Sequence, residues 1–596
     1  MLRTHQGVMA DGNDIGARIH VAMGNGRSTT GQSVTQSRPN NNSNGSASVV
    51  LQGSMMGCRF DLVVDDIALV VGNNFDIAAI VACVLDNIEV GQQATRVDLQ
   101  ISSEDSKPMR KLNESRSIRL LVAEHLKKPD LVRCLRVCRS WHDTYQSLVW
   151  KEVSVDKPSW AEPSPSQDAL TPEALRSHCH FIKDLYIVDW PGKYPFAFPR
   201  MQALYFRLFN TTTPSPARYP APFIRRNQSL VKLHFWNIDK DIDYRLWKAL
   251  LKLPHLRELN LGMSSIQDDD IVRFWTICEN LESLRLDYVS FPRGTTPHAS
   301  MYFRNIRELQ LYGVSGMEQE EQLRFISTCP NLEDLTWHYI LAGYLENGLA
   351  GDGAMGGAYF EEFAKEVARK RWPRLTNLGM YGQWTEEDTC LIIEGMQCVK
   401  KIELGDMFGP LTSQALQRHF NNLVELEVET SSEVASKLLQ NILCSCSALK
   451  ILVGDGFLAK DVVEGKPWVC LSLESLSICF MFSDTEQHLQ PLIFERLAKL
   501  TRLEYLYSAA VRTHFQEKYP VPLQFRLQSG LDALSGLWRM ESFAASHSKS
   551  LGEDELRWML VHWKNLISVS ADVDIDDVMK IELENLFKSR GIELRR

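Results

Sequence analysis

Ten times between residues 255 and 508 the chain returns to one short pattern, with apolar residues at its first, fourth and sixth places. The segments are HLRELNL at 255–261, NLESLRL at 280–286, NIRELQL at 305–311, NLEDLTW at 331–337, RLTNLGM at 374–380, VKKIEL at 399–404, NLVELEV at 422–428, ALKILVG at 448–454, SLESLSI at 472–478 and RLEYLYS at 502–508. Measured on the second leucine, Leu259 to Leu284 is 25 residues, Leu284 to Leu309 is 25, Leu309 to Leu335 is 26, Ile402 to Leu426 is 24, Leu426 to Leu452 is 26 and Leu452 to Leu476 is 24. A unit of that length holds one short strand with alternate residues inward. It also holds one amphipathic helix, such as Asp269 to Cys278 or Glu318 to Cys329, that returns the chain. No such unit can bury its apolar face alone, so neighbours must stack.

The spacing lies in the range of roughly 20 to 29 residues typical of leucine-rich repeats. The expected fold class is therefore α/β, a leucine-rich-repeat solenoid with a curved parallel sheet and outer helices. Looser copies at KDLYIV (near 185), MQALYF (near 204), SLVKLHF (near 233), LWRMESF (near 540) and LISVSA (near 569) extend the array over 175–596. IDDVMKIELENLFKSRG reads as a last helix with Gly591 as its cap.

Size agrees with this. A chain of 596 residues is too long for one ordinary compact core, whereas a stacked array lengthens without enlarging its core. A formal net charge of −9 argues against a general nucleic-acid-binding surface. The thirteen cysteines are scattered and odd in number, and the opening MLRTHQGVMADGND has no signal-peptide apolar core. Reduced thiols and a cytoplasmic or nuclear location are expected. The apolar run Ile77 to Leu85 is far below the roughly 18 to 20 residues of a membrane span, so no membrane association is expected. The sequons at Asn210 and Asn227 then carry no glycan.

Other stretches are less regular. Residues 1–55 contain a Gly/Ser/Thr/Asn-rich run with too few apolar groups to order it, and are expected to be a disordered tail. Residues 56–105 hold apolar runs, CRFDLVVDDIALVV and FDIAAIVACVL, that fit strands or short helices, and they are left unassigned. Residues 156–174 form a Pro/Ser-punctuated linker ending in a helix start at Thr171-Pro172-Glu173.

Between these lies 112–155, where apolar residues recur at helical spacing in three short segments. Pro129 and Asp130 mark the start of the second segment, and Ser140 is expected to cap the third, which carries Trp141 inward. So small a bundle needs a neighbour to be stable. The string DLVRCLRVCRSW, followed nine residues after Trp141 by Trp150, resembles the F-box, with Val149-Trp150 as its closing pair. One position departs from that family, whose proline after the first leucine is Asn113 here. The resemblance implies a three-helix module that docks the Skp adaptor and, through it, a cullin scaffold. Carried over position by position, the adaptor-binding residues are Leu112, Ile118, Leu121, Leu126, Leu131, Leu135, Val137, Cys138, Arg139, Trp141, Leu148 and Trp150. Together with the array, residues 112–596 resemble F-box/leucine-rich-repeat proteins.

Signs of catalysis are missing. Gly351 to Gly356 matches a dinucleotide fingerprint in letters, but no strand leads into it within a β-α-β unit, and a flexible insertion is the better reading. His178-Cys179-His180 and Cys444-Ser445-Cys446 lack metal-ligand spacing. No catalytic residue, cofactor or metal is therefore expected, and the chain reads as no enzyme. What remains is the open strand face. Its expected client-binding residues are Glu258, Arg285, Glu308, Tyr312, Asp334, Tyr381, Glu403, Glu425, Glu427 and Glu429. Because acids outnumber bases there, a client with a basic segment is expected, anchored on aromatic side chains. The function this implies is substrate recognition in a Skp–cullin–F-box ubiquitin ligase. The alternative is a non-ligase interaction scaffold whose F-box-like helices cap the solenoid.

Overall fold

The structure, a computed structural model, describes residues 46–55 and 58–68 as backbone, then 119–120, 123, 126, 128–155, 171–188, 196–208, 220–242, 244–298, 300–338, 357–381, 384–405, 408–428, 433–509, 521–546, 551–573, 575 and 577–595. The chain divides into two units, one of residues 1–154 with 168–185 and one of 155–167 with 186–596.

In the first unit, β1 (Ser46–Met55) and β2 (Cys58–Ala68) form an antiparallel hairpin closed by the pair Met55 and Cys58. Residues 46–55, expected in the disordered tail, are thus extended and paired. The reason is local: the β-favouring run Val49-Val50-Leu51 lies in register with Leu62-Val63-Val64. Further on come α1 (Lys128–Cys134), α2 (Arg139–Val149), β3 (Glu152–Val155), α3 (Pro172–His178) and β4 (Asp184–Val188), of which Val155 and residues 186–188 fall in the second unit. The stretch 112–155 therefore closes on a strand and not on a helix, Val153 and Val155 being β-branched. The α3 start is as predicted, with Thr171 Oγ1 accepting the Ala174 N–H at 3.2 Å and Pro172 in the first turn.

The second unit is a leucine-rich-repeat solenoid. Its strands are β5 (Ala203–Leu208), β6 (Lys232–Asp241), β7 (Glu258–Ser265), β8 (Ser283–Ser290), β9 (Glu308–Tyr312), β10 (Asp334–His338), β11 (Asn377–Tyr381), β12 (Lys401–Leu404) and β13 (Glu425–Val428). They continue with β14 (Ile451–Leu458), β15 (Ser475–Phe482), β16 (Tyr505–Ala509), β17 (Val521–Pro522), β18 (Ser542–Ser546), β19 (Ser568–Ala571) and β20 (Glu593–Arg595). Successive strands pair in parallel with the marker leucines in one row, Leu204 beside Leu233, then Leu259, Leu284, Leu309, Leu335, Leu378, Ile402, Leu426, Leu452, Leu476 and Leu506. Every one of these side chains is buried. The exception to sequential pairing is β17, which lies antiparallel on β15, so that β16 pairs directly with β18.

Two bonding devices repeat with the strands. One backbone carbonyl at each turn accepts two N–H groups from the next repeat, as when Arg257 O takes both Glu282 N–H (2.7 Å) and Ser283 N–H (3.1 Å). The polar residue that opens the motif also ties back one repeat, with Asn305 Nδ2 on Glu279 O, Asn331 Nδ2 on Arg304 O and Asn565 Nδ2 on Trp538 O. These turn carbonyls are thereby bonded within the chain.

The helices that return the chain include Ile271–Cys278, Gln319–Ser327, Gly357–Ala368, Glu386–Gly395 and Glu433–Leu443. Their buried rings meet the inward side of the sheet, for example Trp337 against Phe360, Phe363 and Trp384 at centroid separations of 5.6 Å each. Leu335 pairs directly with Leu378, so the 43-residue interval between them is one repeat with an insertion. Residues 339–356, with the glycine-rich string, lie outside the described residues. The last helix, Asp577–Ser589, ends as predicted at Gly591, whose φ of 72° lets Ile592 N–H reach Phe587 O (2.9 Å) and Gly591 N–H reach Lys588 O (3.0 Å).

Candidate functional site

The helical module is built around Tyr145, which is fully buried with Leu131, Cys134 and Ala123. Helical spacing places Trp141 and Tyr145, one turn apart, on the same inward face, but only the packing shows that Tyr145 is the one at its centre. Trp141, expected inward, is half-buried and meets Tyr145 edge-on at 5.4 Å. Burial, reinforced by Cys134 and opposed by Arg119, pushes the Tyr145 hydroxyl up to about 12. The α2 helix begins after Cys138 with no side-chain cap. Ser140, the expected cap, lies two residues too late and instead lends its carbonyl to Thr144 Oγ1 (2.9 Å), which accepts Arg119 Nε (2.8 Å).

The structure sorts the predicted adaptor-binding residues into two sets. Leu126, Leu135, Trp141 and Leu148 pack on the buried cluster, and Leu131 is part of it. Trp150 stacks on His178 at 4.1 Å, and Gln146 Nε2 lies 3.1 Å from His178 Nδ1. Burial, with His180 and His142 adding, holds the His178 ring below the usual histidine range. Cys138 is half-buried and Arg139 exposed. Val137 is 53% exposed, and Val132, which the sequence did not single out, is 38% exposed. Arg133, Arg136 and Arg139 are exposed around them. Leu112, Ile118 and Leu121 lie outside the described residues.

On the solenoid, strand alternation leaves three rows of the open face facing away from the buried leucines. The first runs Lys232, Glu258, Ser283, Glu308, Asp334, Asn377, Lys401, Glu425; the second His234, Asn260, Arg285, Gln310, Thr336, Gly379, Glu403, Glu427; the third Trp236, Gly262, Asp287, Tyr312, His338, Tyr381. All the predicted client-binding residues except Glu429, which lies outside the described residues, thus stand on one surface.

That surface carries more internal pairing than an alternation of letters discloses. Lys232 Nζ is 2.7 Å from Glu258, and Arg285 Nε is 2.7 Å from Asp287. Lys401 Nζ is 2.9 Å from Glu403 and 3.5 Å from Glu425. Tyr381 Oη lies 3.2 Å from Glu403 Oε2 and 3.4 Å from Glu427 Oε1. Burial raises the Asp287 carboxyl against the pull of Arg285, and raises that of Asp334 against the Asn377 amide bonded to it at 2.9 Å. Burial works against the charge of Lys401, but Glu403 and Glu425 outweigh it and hold the ammonium above its ordinary range.

Rings line the third row. Tyr288 meets Tyr312 at 5.1 Å, Tyr312 meets His338 at 4.2 Å, and His338 meets Tyr381 at 5.1 Å. A second patch further along holds Tyr505 and Tyr507, both close to half exposed and flanked by Ser475, Ser477, Ser542 and Ala544. Among the described residues, no group of three or more His, Cys, Asp or Glu is placed to hold a metal ion, and no helix is long and apolar enough to cross a membrane.

Residues 196–293 match the family model described as FBD-associated F-box protein At5g56370, LRR repeats. Similar solved structures include the TLR13–ssRNA13 complex, at 14% identity and a TM-score of 0.32 over 67% of this chain and 54% of that one. An internalin, InlF, from Listeria monocytogenes matches at 12% identity and a TM-score of 0.23 over 72% of this chain and 89% of that one. The chain spans about half the length of the first of these. No curated protein matches it. The repeats thus form a leucine-rich-repeat scaffold similar, over 196–293, to that of an F-box-associated family.

Proposed function

We propose that the chain is a substrate-recognition subunit of a Skp–cullin–F-box type ubiquitin ligase, acting in the cytoplasm or nucleus. In this reading the helical module docks the Skp adaptor, the adaptor joins it to a cullin, and the repeats hold a client protein. The chain itself performs no catalysis; it raises the concentration of client lysines near a separate conjugating enzyme. The observation that carries the reading is the surface formed by the end of α1, the turn after it and the start of α2. DLVRCLRVCRSW folds so that its leucines and Tyr145 make a core while Val132 and Val137 stay in water among three exposed arginines. Apolar side chains ringed by charge are what a docking surface presents. The match of 196–293 to repeats of an F-box protein supports the same reading.

The test is capture of a purified Skp-type adaptor by the full chain. Wild type binds, and Val132→Asp with Val137→Asp weakens capture by about tenfold or more without changing the circular dichroism, both side chains being already exposed. Leu131→Asp is a poor probe, since it puts a charge into the core. No capture by wild type would end the ligase reading and leave a non-ligase repeat scaffold. That second reading is favoured by Trp150, which already packs on His178 within its own unit.

A further inference from the structure

On the helical side of the repeats, cations are commonly answered by an acid three or four residues away. Arg273 Nη1 is 2.5 Å from Asp270, Arg324 meets Glu320, Lys365 Nζ is 2.7 Å from Glu361 and Arg557 Nε is 2.6 Å from Glu553. The helices Pro220–Arg226 and Tyr244–Leu250, which pack side by side, differ. Neither 220–238 nor 244–257 contains an Asp or Glu, yet Arg225, Arg226, Arg245, Lys248 and Lys252 are all exposed there. We propose that this helical face docks an acidic segment of a partner protein, with Arg225, Arg226, Lys248 and Lys252 binding its carboxylates and Leu251 seating an apolar side chain among them. The surface is separate from the open strand face, and it stands whether or not the helical module of 112–155 docks an adaptor.

Helix geometry presents the face. In YRLWKALLK the residues Leu246, Trp247, Ala249 and Leu250 are buried, so Tyr244, Arg245, Lys248, Leu251 and Lys252 form one outward stripe at i, i+1, i+4, i+7 and i+8. On the preceding helix Phe223 and Ile224 face inward, which leaves Arg225 and Arg226 exposed at its end. Among the described residues, Arg225, Arg226 and Lys252 have no hydrogen-bond or ion-pair partner on their side chains, and Lys248 meets the ring of Tyr244, its Nζ 4.9 Å from the centroid. Leu251, next in the stripe, is 43% exposed. An aliphatic side chain held in water among unanswered cations suits a partner that brings carboxylates together with an apolar residue. Each arginine can grip a carboxylate with two parallel N–H groups. A protein partner fits better than a nucleic acid. The formal net charge of −9 repels a long polyanion, whereas a short acidic segment meets only the field within about 10 Å of these cations.

The experiment selects a displayed random dodecapeptide library on the full-length chain, discards peptides that also bind the Arg225→Gln/Arg226→Gln/Lys248→Gln/Lys252→Gln chain, and measures the winners by fluorescence anisotropy. Expected are peptides with several Asp or Glu residues and one large apolar residue. Their affinity should fall about tenfold when those acids become Asn and Gln, and again as salt is raised well above physiological ionic strength. Leu251→Ser should weaken the same peptides with the circular dichroism unchanged, since that side chain is already exposed. Failure to select any peptide, winners without acids, or affinity indifferent to both acid removal and salt would overturn the proposal. So would duplex DNA or phosphatidylserine vesicles that bind wild type more tightly than the peptides and are lost in the glutamine variant, because the face would then be one for phosphate. Changing the acids of the peptide leaves the chain untouched, so the result does not hang on how the variant folds.

Discussion

The indole of Trp236 lies over the bare α-carbon of Gly262 on the adjacent strand, so close that a β-carbon there would sit 2.3 Å from Cε3. Two strands of the open face are thus keyed together by the absence of one side chain. Gly262→Ala should push the indole aside at a cost of about 1 to 3 kcal/mol, the usual range for overpacking. Urea unfolding together with tryptophan emission checks this; an unchanged midpoint and spectrum would show that the ring has room to move.

A second device follows Gly262. Met263 (φ 46°), Tyr288 (φ 54°) and Gly313 (φ 59°) directly follow Gly262, Asp287 and Tyr312, which lie in one register row, so three successive repeats make the same left-handed step. Two of the three bear side chains, and the step aims Tyr288 at Tyr312. Gly313→Ala should lower stability by about 1 kcal/mol, since an L side chain pays for that conformation and glycine does not. A shift in urea midpoint at constant slope is the expected signature, and no shift would mean the backbone relaxes there.

Asn227 reads in sequence as a glycosylation sequon, yet it is buried. Its Oδ1 accepts Phe198 N–H at 2.7 Å and its Nδ2 donates to Phe223 O at 2.8 Å. Asn227→Ala would strand a donor and an acceptor, and should destabilise by about 2 kcal/mol or more. Thermal unfolding that leaves the melting point in place would contradict this.

His419 gives a pH dependence of definite sign. It is buried; Nδ1 accepts Val399 N–H (3.3 Å), which leaves the Nε2 proton for Ile393 O (3.1 Å). Burial, helped by Arg418 and opposed by the Ile393 contact, holds its pKa below the usual histidine value. The unfolded chain therefore takes up the proton first. The stability this ring contributes is present above the unfolded pKa of about 6.5 and is lost as pH falls through the folded value. His178, His234 and His338 are shifted the same way, each mainly by burial. The melting temperature should fall between pH 7.5 and 5.5, and fall less in His419→Gln; equal slopes would remove His419 from the account.

The strand register was legible at a distance. The markers from Leu259 to Leu335 and from Ile402 to Leu476 sit in the row their spacing predicted, whereas Leu378, 43 residues past Leu335 and so nearly two periods away in sequence, pairs with it as a direct neighbour. The looser segments near 204, 233, 540 and 569 became β5, β6, β18 and β19. Alternation likewise placed Glu258, Glu308, Asp334 and Glu427 together on the open face. Less was legible in the helical module. Letters alone set Trp141 inward and Ser140 at the cap, while the fold put Tyr145 in the core and began the helix two residues sooner.

What the sequence by itself determined is periodic: a unit that cannot bury its own leucines must stack, and a two-residue alternation must send the residues between them outward. Which of those outward charges are already answered by neighbours was decided only in three dimensions. Lys232 with Glu258 and Lys401 with Glu403 and Glu425 meet through parallel register or along a strand at distances of 2.7 to 3.5 Å. Pairing across repeats depends on the rotamers of long side chains and on which partner lies opposite, about 25 residues away. No count of acids and bases contains that, so the pairing of the open-face charges emerges only when the strands are laid side by side.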